Sequence, residues 1–470
     1  MSTKKQTRRE FFESAGSIGA SAALFPTLPI SLLGCGKSRR LSRPNILLFL
    51  PDQHRYDWLG STPQIPVRTP NLDALAGRGV RFSRAFCASP LCAPSRACLA
   101  SGKEYDRCRV PSNKVDYPLD QTTYYTLLRD SGYHVAGCGK FDLHKASPTW
   151  GIEGKHLLKE WGFSDGVDSA GKWDAIKSGA DTPKDPYMAY LHQQGLARIH
   201  AEDYRNRGSY RGTYPTPLPE EAYGDNWVAE VGLNLMREFP EDKPWYLQVN
   251  FPGPHEPMDI TESMAELYRT VDFPQPNKSS QFDAETHSAI RRNYSAMVEN
   301  IDRWVGLYLE ELRKRGELDN TLIVYSSDHG EMLGDHDLWG KKVPFQPSVG
   351  IPLIIAGPGT VRGMVSEVPV SLIDLCATFL EYAGLTPLPE MESLSLKPFL
   401  EGKTGTHRVH VLSGLGNWRL VFGGRYKLIG GYGETGEPIL FDLLNDPMEN
   451  EDIAGQAEAE VTRLSRVLGI

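Results

Sequence analysis

Five short apolar runs recur along this 470-residue chain, and polar residues follow most of them within a few positions. The runs span residues 46–50, 133–137, 245–251, 321–325 and 352–355. The first run is continuously apolar and the others are mostly so, which is typical of central parallel strands that are covered by helices on both faces. The sequence therefore predicts an α/β fold with a large, doubly wound, mostly parallel sheet and helices on both of its faces.

The domain organisation follows from changes in pattern along the chain. Segments with helical spacing of apolar residues, such as 294–315, lie between the runs. From about residue 393 the chain becomes glycine-rich, with short strands that predict a small antiparallel sheet and a terminal helix. We therefore expect a large α/β domain over 43–392 and a C-terminal α+β subdomain over 393–470. The irregular stretch 147–225 is expected to wall a pocket, and its shape is not predicted.

Residues 1–35 resemble an export signal. Arg8 and Arg9 precede two phenylalanines, as in a twin-arginine signal, and a weakly apolar stretch follows them. A Leu-Leu-Gly-Cys sequence ending at Cys35 is similar to a lipobox, which makes Cys35 a candidate site for a lipid anchor. With residues 36–42 as a linker, the sequence predicts an exported protein of the periplasm or cell surface, either free or tethered to the membrane as a lipoprotein.

Two aspartates stand just after apolar runs. Asp52 follows the first run and Asp328 follows the fourth. Open α/β sheets build their sites at the carboxyl ends of their strands, so the two side chains are expected to meet. Helix capping or surface solvation explains most aspartates, but it does not explain two of them at equivalent strand ends. His329, next to Asp328, is a third candidate for the same site.

The most specific pattern is Cys-Ala-Pro-Ser-Arg at 92–96, with Ser101 and Gly102 after a gap of four residues. It resembles the signature of the formylglycine-dependent sulfatases of the alkaline phosphatase superfamily. In that family, a formylglycine-generating enzyme oxidises the cysteine to an aldehyde whose hydrate is the nucleophile. The alternatives for Cys92 are a disulfide or a metal cluster of nearby cysteines. The cysteine spacings do not match those of zinc sites.

The resemblance implies a site for one divalent metal. Asp52, Gln53, Asp328 and His329 occupy the positions of its ligands, and the hydrated aldehyde at Cys92 completes the shell. Many members of the family have an aspartate where this chain has Gln53, and several have an asparagine where it has His329. Oxygen ligands favour Ca²⁺ or Mg²⁺, while a nitrogen ligand also admits Mn²⁺ or Zn²⁺. We expect Ca²⁺, with Mg²⁺ or Mn²⁺ as alternatives.

The resemblance also assigns roles to four cationic or titratable residues. Arg96 matches the arginine that steadies the hydroxyls of the aldehyde hydrate. Lys140 and Lys341 match the lysines that bind the sulfate. His255 lies in a Pro-His-Glu-Pro sequence that matches the family's Pro-His-x-Pro motif. It would contact the sulfate and protonate the departing alkoxide, since imidazole titrates near neutral pH.

One position departs from the family pattern. The family commonly has a histidine two residues after the lysine that Lys140 matches, and this chain has Asp142 there, with His144 two residues further on. The family's histidine contacts the formylglycine and can act as a base. Either Asp142 takes that role or His144 reaches the site through a different loop geometry, and the sequence leaves both open.

These observations predict an enzyme that hydrolyses sulfate esters of a carbohydrate or a small organic alcohol. Attack by one hydroxyl of the aldehyde hydrate on sulfur, followed by deprotonation of the other, would release sulfate by elimination. A phosphonate monoester or phosphodiester hydrolase of the same superfamily is the nearest alternative, and an inactive exported binding lipoprotein is another. The net charge of −8 argues against a nucleic-acid partner.

Overall fold

An eight-stranded sheet forms the centre of this computed structural model, which describes residues 43–470. The predicted export signal, Cys35 and the linker lie outside the described residues. The strands of the structure are β1 (Asn45–Phe49), β2 (Val80–Phe82), β3 (Ala85–Phe86), β4 (His134–Gly139), β5 (Asp165–Asp168), β6 (Trp245–Asn250), β7 (Thr321–Tyr325), β8 (Leu353–Ala356), β9 (Met364–Ser366), β10 (Val370–Ser371), β11 (Val411–Leu415), β12 (Trp418–Phe422), β13 (Tyr426–Gly430) and β14 (Ile439–Asp442).

Fourteen α-helices surround the sheets within residues 43–470. They are α1 (Pro70–Arg78), α2 (Cys92–Ser101), α3 (Tyr124–Asp130), α4 (Leu158–Trp161), α5 (Lys172–Gly179), α6 (Pro186–Gln193), α7 (Ala197–Arg207), α8 (Gly224–Arg237), α9 (Glu262–Tyr268), α10 (Ala284–Lys314), α11 (Gln346–Val349), α12 (Asp374–Tyr382), α13 (Lys397–Leu400) and α14 (Glu458–Leu468). In this part of the chain, no helix has the length and apolar character needed to cross a bilayer.

The large sheet has the order β5-β4-β6-β1-β7-β8-β2-β9. The strands from β5 to β7 are all parallel, whereas β8 runs antiparallel to both of its neighbours. Side chains of β1 alternate between two cores, because successive residues of a strand point to opposite faces. Ile46 and Leu48 pack with α2, α3 and α12, and Leu47 and Phe49 pack with α1, α8 and α10. The predicted α/β sheet with helices on both faces is confirmed.

The stretch 147–225 contains a strand and several helices that the sequence pattern did not predict. β5 adds to the edge of the large sheet, and α5, α6 and α7 follow it. These helices form a small apolar core of their own, with Trp150, Met188 and Leu191 inside it. The stretch is therefore a packed element, and its helix α5 faces the site described below.

The four strands β11 to β14 form a separate antiparallel sheet, and α14 packs against it through Leu464. This confirms the predicted C-terminal sheet with a terminal helix; the boundary between 392 and 393 stays a prediction. Lys427 on β13 is fully buried, forms an ion pair with Glu449 and donates a hydrogen bond to the carbonyl oxygen of Pro344 at 2.9 Å. The small sheet thus supports the segment around residue 344.

Candidate active site

The site lies where the parallel strands end. Asp52 follows β1, Lys140 follows β4, His255 follows β6 after a short loop, and Asp328 follows β7. The backbone N–H of Asp52 donates to the carbonyl oxygens of Phe251 and Gly253, both at 3.0 Å, which joins the ends of β1 and β6. Because parallel strands present their carboxyl ends at one edge, four residues that are far apart in sequence share one place.

Cys92 is the first residue of α2, and every residue of this helix is buried. Leu91 before it offers no side-chain cap, and the N–H of Ala93 in the first turn donates instead to Asn113 Oδ1 at 3.0 Å. The Cys92 Sγ atom lies 3.3 Å from His329 Nε2 and 3.9 Å from Asp52 Oδ1. Ser95 Oγ donates to the carbonyl oxygen of Asp328 at 2.5 Å, which fixes α2 against the end of β7.

The residues present suit a divalent cation. Asp52, Cys92, Asp328 and His329 each offer one ligand atom, and these four atoms lie within 4.8 Å of one another. Two ligands on opposite sides of a Ca²⁺ or Mg²⁺ ion are about 4 to 5 Å apart, given bond lengths of about 2.0 to 2.6 Å. All four residues are fully buried, and buried carboxylates need a cation beside them. A metal at this place would supply part of that charge.

Gln53 lies beside this cluster, but its amide is engaged by other residues. Its backbone φ is +70°, and its backbone N–H donates to Asp328 Oδ1 at 3.0 Å. The side-chain Nε2 donates to Glu256 Oε2 at 3.0 Å and also to Glu331, while Oε1 accepts from Lys341. The structure therefore brings Gln53 to the site with its amide oxygen on Lys341, and its role as a metal ligand stays a prediction.

Arg96 connects three parts of the site. Its Nε donates to Asp328 Oδ2 at 2.9 Å, and its Nη1 donates to the carbonyl oxygen of Lys140 at 2.5 Å and to Asn250 Oδ1 at 3.0 Å. Its Nη2 is buried without a hydrogen-bond partner among the described residues and lies 3.9 Å from Asp52 Oδ2. A buried N–H group without an acceptor destabilises the fold, so an additional acceptor at the site would stabilise Nη2.

Lysines change the acidity of the thiol. Burial and the charge of Asp52 oppose ionisation of Cys92, but Lys140, Lys341 and His329 outweigh them and hold the pKa of the thiol well below its ordinary value. Lys140 itself pairs with Asp52 and, at 2.6 Å, with Asp142 Oδ2. The environment of Cys92 is thus one that stabilises negative charge.

His255 has a defined orientation. Its Nδ1–H donates to the carbonyl oxygen of Glu256 at 2.6 Å and lies 2.9 Å from the Glu256 carboxylate, so Nε2 is the nitrogen left for the cavity. Burial lowers the pKa of His255, and Lys341 also lowers it, but Glu256 and Asp52 outweigh both and raise it to about 9. The imidazole is therefore protonated at neutral pH and can donate a proton from Nε2.

Asp142 and His144 point to different partners. Asp142 has φ +54° and lies between Lys140 and Lys145, which lower its pKa against the effect of burial, and its Oδ1 is buried without a partner among the described residues. His144 Nε2 binds Asp168 Oδ2 at 2.7 Å, and its Nδ1 binds the carbonyl oxygen of Ser147 at 3.0 Å. The structure thus brings Asp142 to the site and leaves neither ring nitrogen of His144 free.

A cavity of about 290 Å³ opens onto Cys92, Lys140, His255 and Lys341. Several other residues of this cavity and its surroundings were not predicted from the sequence. Those that line the cavity are Asn113, Lys145, Lys172, Trp173, Asp174, Lys177, Glu256 and Lys342, and Asn250 and Glu331 lie behind it. Neighbours of motifs could have indicated Glu256, Glu331 and Lys342. No local pattern marks the residues of α5.

All six cysteines of the described part of the chain are buried and free. They are Cys87, Cys92, Cys98, Cys108, Cys138 and Cys376. The alternative of a disulfide at Cys92 therefore finds no partner within residues 43–470. Of these six cysteines, Cys92 alone lines the cavity.

Two family models match this chain. One described as Sulfatase matches residues 44–385, and one described as N-sulphoglucosamine sulphohydrolase, C-terminal, matches residues 334–467. An arylsulfatase of Clostridium perfringens is 26% identical over 88% of this chain and 91% of its own length. An N-acetylglucosamine-6-O-sulfatase of Bacteroides thetaiotaomicron is 27% identical over 93% and 88%. The solved phosphonate monoester hydrolase of Agrobacterium radiobacter superposes with a TM-score of 0.75 at 25% identity, covering 91% of this chain and 94% of its own.

Proposed function

This chain belongs to the sulfatase family and is a sulfatase-type hydrolase of the alkaline phosphatase superfamily, and from that premise we propose that it cleaves sulfate esters of a carbohydrate or small organic alcohol through a formylglycine made from Cys92. The observation that carries the proposal is the placement of Cys92. Its side chain lies at the bottom of a cationic cavity, beside the only buried Asp/Cys/Asp/His group found in residues 43–470.

The unpaired donor on Arg96 supports the modification. A hydrated aldehyde at position 92 supplies one hydroxyl as nucleophile and a second for release of the sulfate. Arg96 Nη2 and Asp142 Oδ1 are a buried donor and a buried acceptor without partners among the described residues, which is what two new hydroxyl groups at this place require. The thiol of unmodified Cys92 is a weaker hydrogen-bond donor and acceptor than either hydroxyl group.

The protein's own residues have distinct tasks in the proposed reaction. The ammonium groups of Lys140 and Lys341 hold the sulfate oxygens and offset the negative charge that repels a nucleophile. His255 donates its Nε2 proton to the departing alkoxide. Asp142, held between two lysines, accepts a proton from a hydroxyl at position 92. A bound divalent cation, held by Asp52, Asp328 and His329, supplies further charge neutralisation, and we expect Ca²⁺.

The first experiment compares two preparations of the protein, made with and without an active formylglycine-generating enzyme. The tryptic peptide 85–96 is weighed, and 4-nitrophenyl sulfate turnover is measured. We expect the aldehyde mass and turnover to appear together, and both to be absent in Cys92→Ala. An aldehyde without any turnover of sulfate or phosphorus esters would favour the inactive binding protein, and turnover by the unmodified thiol protein would exclude the formylglycine mechanism.

Phosphonate monoester hydrolysis is the second candidate, because the solved hydrolase named above covers most of this chain. A sulfate monoester and a phosphonate monoester each carry a single negative charge, so the cationic cavity suits both. The ratio of kcat/KM for 4-nitrophenyl sulfate to that for 4-nitrophenyl phenylphosphonate decides between them. A ratio well above one supports a sulfatase, and a ratio well below one supports the alternative.

We further propose that the substrate is a sulfated sugar outside the cytoplasm. A relative named as an N-acetylglucosamine-6-O-sulfatase supports the sugar, and the arginine pair and the lipobox-like sequence ending at Cys35 support export. Fractionation of cells that express the full chain, with and without Arg8→Lys and Arg9→Lys, tests export. Release of the protein from membranes by Cys35→Ala tests the anchor.

A further inference from the structure

Six lysines line the cavity above Cys92: Lys140, Lys145, Lys172, Lys177, Lys341 and Lys342. They stand together on a chain whose net charge is −8. A sulfate monoester carries one negative charge, and Lys140 and Lys341 with His255 already provide for it. The remaining lysines therefore need a separate explanation.

Two of the remaining lysines are neutralised by carboxylates. Lys145 Nζ lies 2.8 Å from Asp142 Oδ2 and 2.7 Å from Asp174 Oδ2. Lys172 is largely buried, and its Nζ donates to Asp259 Oδ1 at 2.7 Å. These ion pairs hold the wall of the cavity together and leave little charge for a ligand.

Lys177 and Lys342 are different. Both side chains are exposed, both line the cavity, and neither has a carboxylate oxygen within 4.0 Å anywhere in residues 43–470. The two acidic residues of the lining do not compensate for them, because Asp174 is held by Lys145 and Glu256 by His255. Two lysines without an ion-pair partner in residues 43–470 thus line the same cavity as Cys92, where the reacting sulfate would lie.

The backbone of Lys342 is held in an unfavourable conformation. Its φ is +80°, a region that favours glycine, and such strain persists only where the surroundings enforce it. Here the backbone N–H donates to the carbonyl oxygen of Pro90 at 3.2 Å, and the carbonyl oxygen accepts from Trp418 Nε1 at 3.2 Å. Contacts from two other parts of the chain therefore hold the backbone of Lys342, next to Lys341, in this conformation.

Lys177 shares a helix face with an aromatic residue. Trp173 and Lys177 are four residues apart on α5, so they are neighbours on its surface, and both line the cavity. Trp173 is half-buried and packs edge-on against Tyr204, with ring centroids 5.4 Å apart. A fixed, partly exposed indole beside an ammonium group suits a ligand that has both an apolar ring face and a negative charge.

We propose that Lys177 and Lys342 bind a second anionic group of the substrate, so that the preferred substrate is a sugar with at least two sulfate or carboxylate groups. Trp173 packs against its ring. This inference rests on the proposed function, because it places the reacting sulfate at Cys92. It adds the substrate class and two specificity-determining residues.

Binding is measured by titration calorimetry in the Cys92→Ala background, where the sugar is not consumed. The ligands are pairs of glucosamine or galactose sulfates, each made of a monosulfate and a disulfate that differ at one position. One pair is N-acetylglucosamine 6-sulfate and N-sulfoglucosamine 6-sulfate, which differ at the nitrogen. In at least one pair we expect the disulfate to bind about fivefold or more tightly. Lys177→Ala and Lys342→Ala should each reduce that preference by up to about fivefold, the upper end of the range for an exposed ion pair.

Lys184→Ala is the matched control. Lys184 is an exposed lysine in the connection that follows α5, and it does not line the cavity. General attraction of a polyanion to a basic surface would be weakened equally by all three substitutions, whereas a specific site loses its preference in the first two only. Trp173→Ala should weaken both members of the favoured pair alike, since the ring face is common to them.

The two proposals fail in different ways. Equal affinity within every pair, or equal effects of the three lysine substitutions, overturns the second anionic site even if matured protein hydrolyses 4-nitrophenyl sulfate. Loss of the preference in Lys177→Ala and Lys342→Ala supports the site even if that hydrolysis is absent, in which case the proposed sulfatase activity is what fails.

Discussion

Lys140 reaches Asp52 by passing over Gly171. A Cβ atom on Gly171 would lie 2.5 Å from Lys140 Cε and 3.0 Å from its Cδ, closer than nonbonded carbon atoms approach each other. The absence of a side chain at residue 171 therefore leaves the room that this path of the lysine needs. Gly171 belongs to the stretch whose shape was not predicted, so its link to Lys140 could not be read from the sequence.

Gly171→Ala should move the Lys140 ammonium and lower kcat/KM for a sulfate ester by about 10- to 100-fold, since small misplacements of a positioning group have effects of this size. Thermal unfolding should change little, because the lysine can bend away. Gly77→Ala is the control, since a Cβ there meets nothing within 4 Å. An unchanged kcat/KM in Gly171→Ala would show that the lysine is not needed where it lies.

Substitution of single residues can also decide whether Asp142 or His144 accepts the proton from residue 92. Asp142→Asn should lower kcat by about 100-fold or more, because it removes the proton acceptor between Lys140 and Lys145. His144→Gln should act mainly on the melting temperature, because both ring nitrogens of His144 are bonded within the protein. Steady-state kinetics on folded samples of both variants decides. A larger fall in kcat for His144→Gln would assign the proton transfer to His144 instead.

At the scale of elements, the strands and the residues at their ends could be predicted, and the insertion could not. β1, β4, β6 and β7 are mostly apolar segments, so both the strands and the residues just beyond them, such as Asp52 and Asp328, are visible in sequence. Asp142 and His144 could not be separated, because no sequence pattern marks the left-handed backbone at Asp142 or the hydrogen bonds that His144 makes to distant residues. The approach of α5 to Cys92 depends on packing between distant segments, which leaves no local pattern.

Asp185 joins two of these unpredicted helices. Its Oδ1 accepts from the N–H of Met188 at the start of α6, at 3.0 Å, and its Oδ2 accepts from the N–H of Ala170, just before α5, at 3.1 Å. Burial raises the pKa of Asp185 from 3.8 to about 6, although these hydrogen bonds lower it. At pH 7 the folded protein therefore carries a buried charge that the unfolded chain exposes to water.

This carboxylate makes a pH-dependent contribution to stability. Because its folded-state pKa lies above the unfolded value, the folded protein takes up the proton first as the pH falls. The stability of the wild type relative to Asp185→Asn should therefore rise by about 1 kcal/mol between pH 7 and pH 5. Urea unfolding of both proteins at the two pH values measures this difference, in which the other titrating groups cancel. A difference that does not change with pH contradicts the prediction.

At the scale of the whole molecule, the C-terminal sheet and the active site share one segment. Glu449 accepts from the backbone N–H of Gln346 at 2.6 Å and pairs with buried Lys427, while Trp418 binds the carbonyl oxygen of Lys342. Lys341 is the neighbour of that carbonyl. The small sheet thus supports the position of a lysine that we assign to sulfate binding.

Glu449→Ala should destabilise the protein by about 3 kcal/mol or more, because it leaves Lys427 buried without its partner. Glu310→Ala, which breaks an exposed pair with Lys314, is the control and should cost less than about 1 kcal/mol. Chemical unfolding measures both. Equal losses in the two variants would mean that the buried pair does not hold the sheet, and the kcat/KM of folded Glu449→Ala reports whether Lys341 has moved.

The complete burial of α2 has a consequence for the order of events during synthesis. A small sulfate ester can reach Cys92 through the cavity. A formylglycine-generating enzyme cannot bind the backbone around Cys92 while every residue of α2 is buried. The proposed conversion of Cys92 must therefore come before the chain closes around it. Glu449, which locks the segment of Lys341, leaves the ribosome long after Cys92 does. The interval between the two is a time window in which the thiol is open, and faster folding would yield stable protein without its nucleophile.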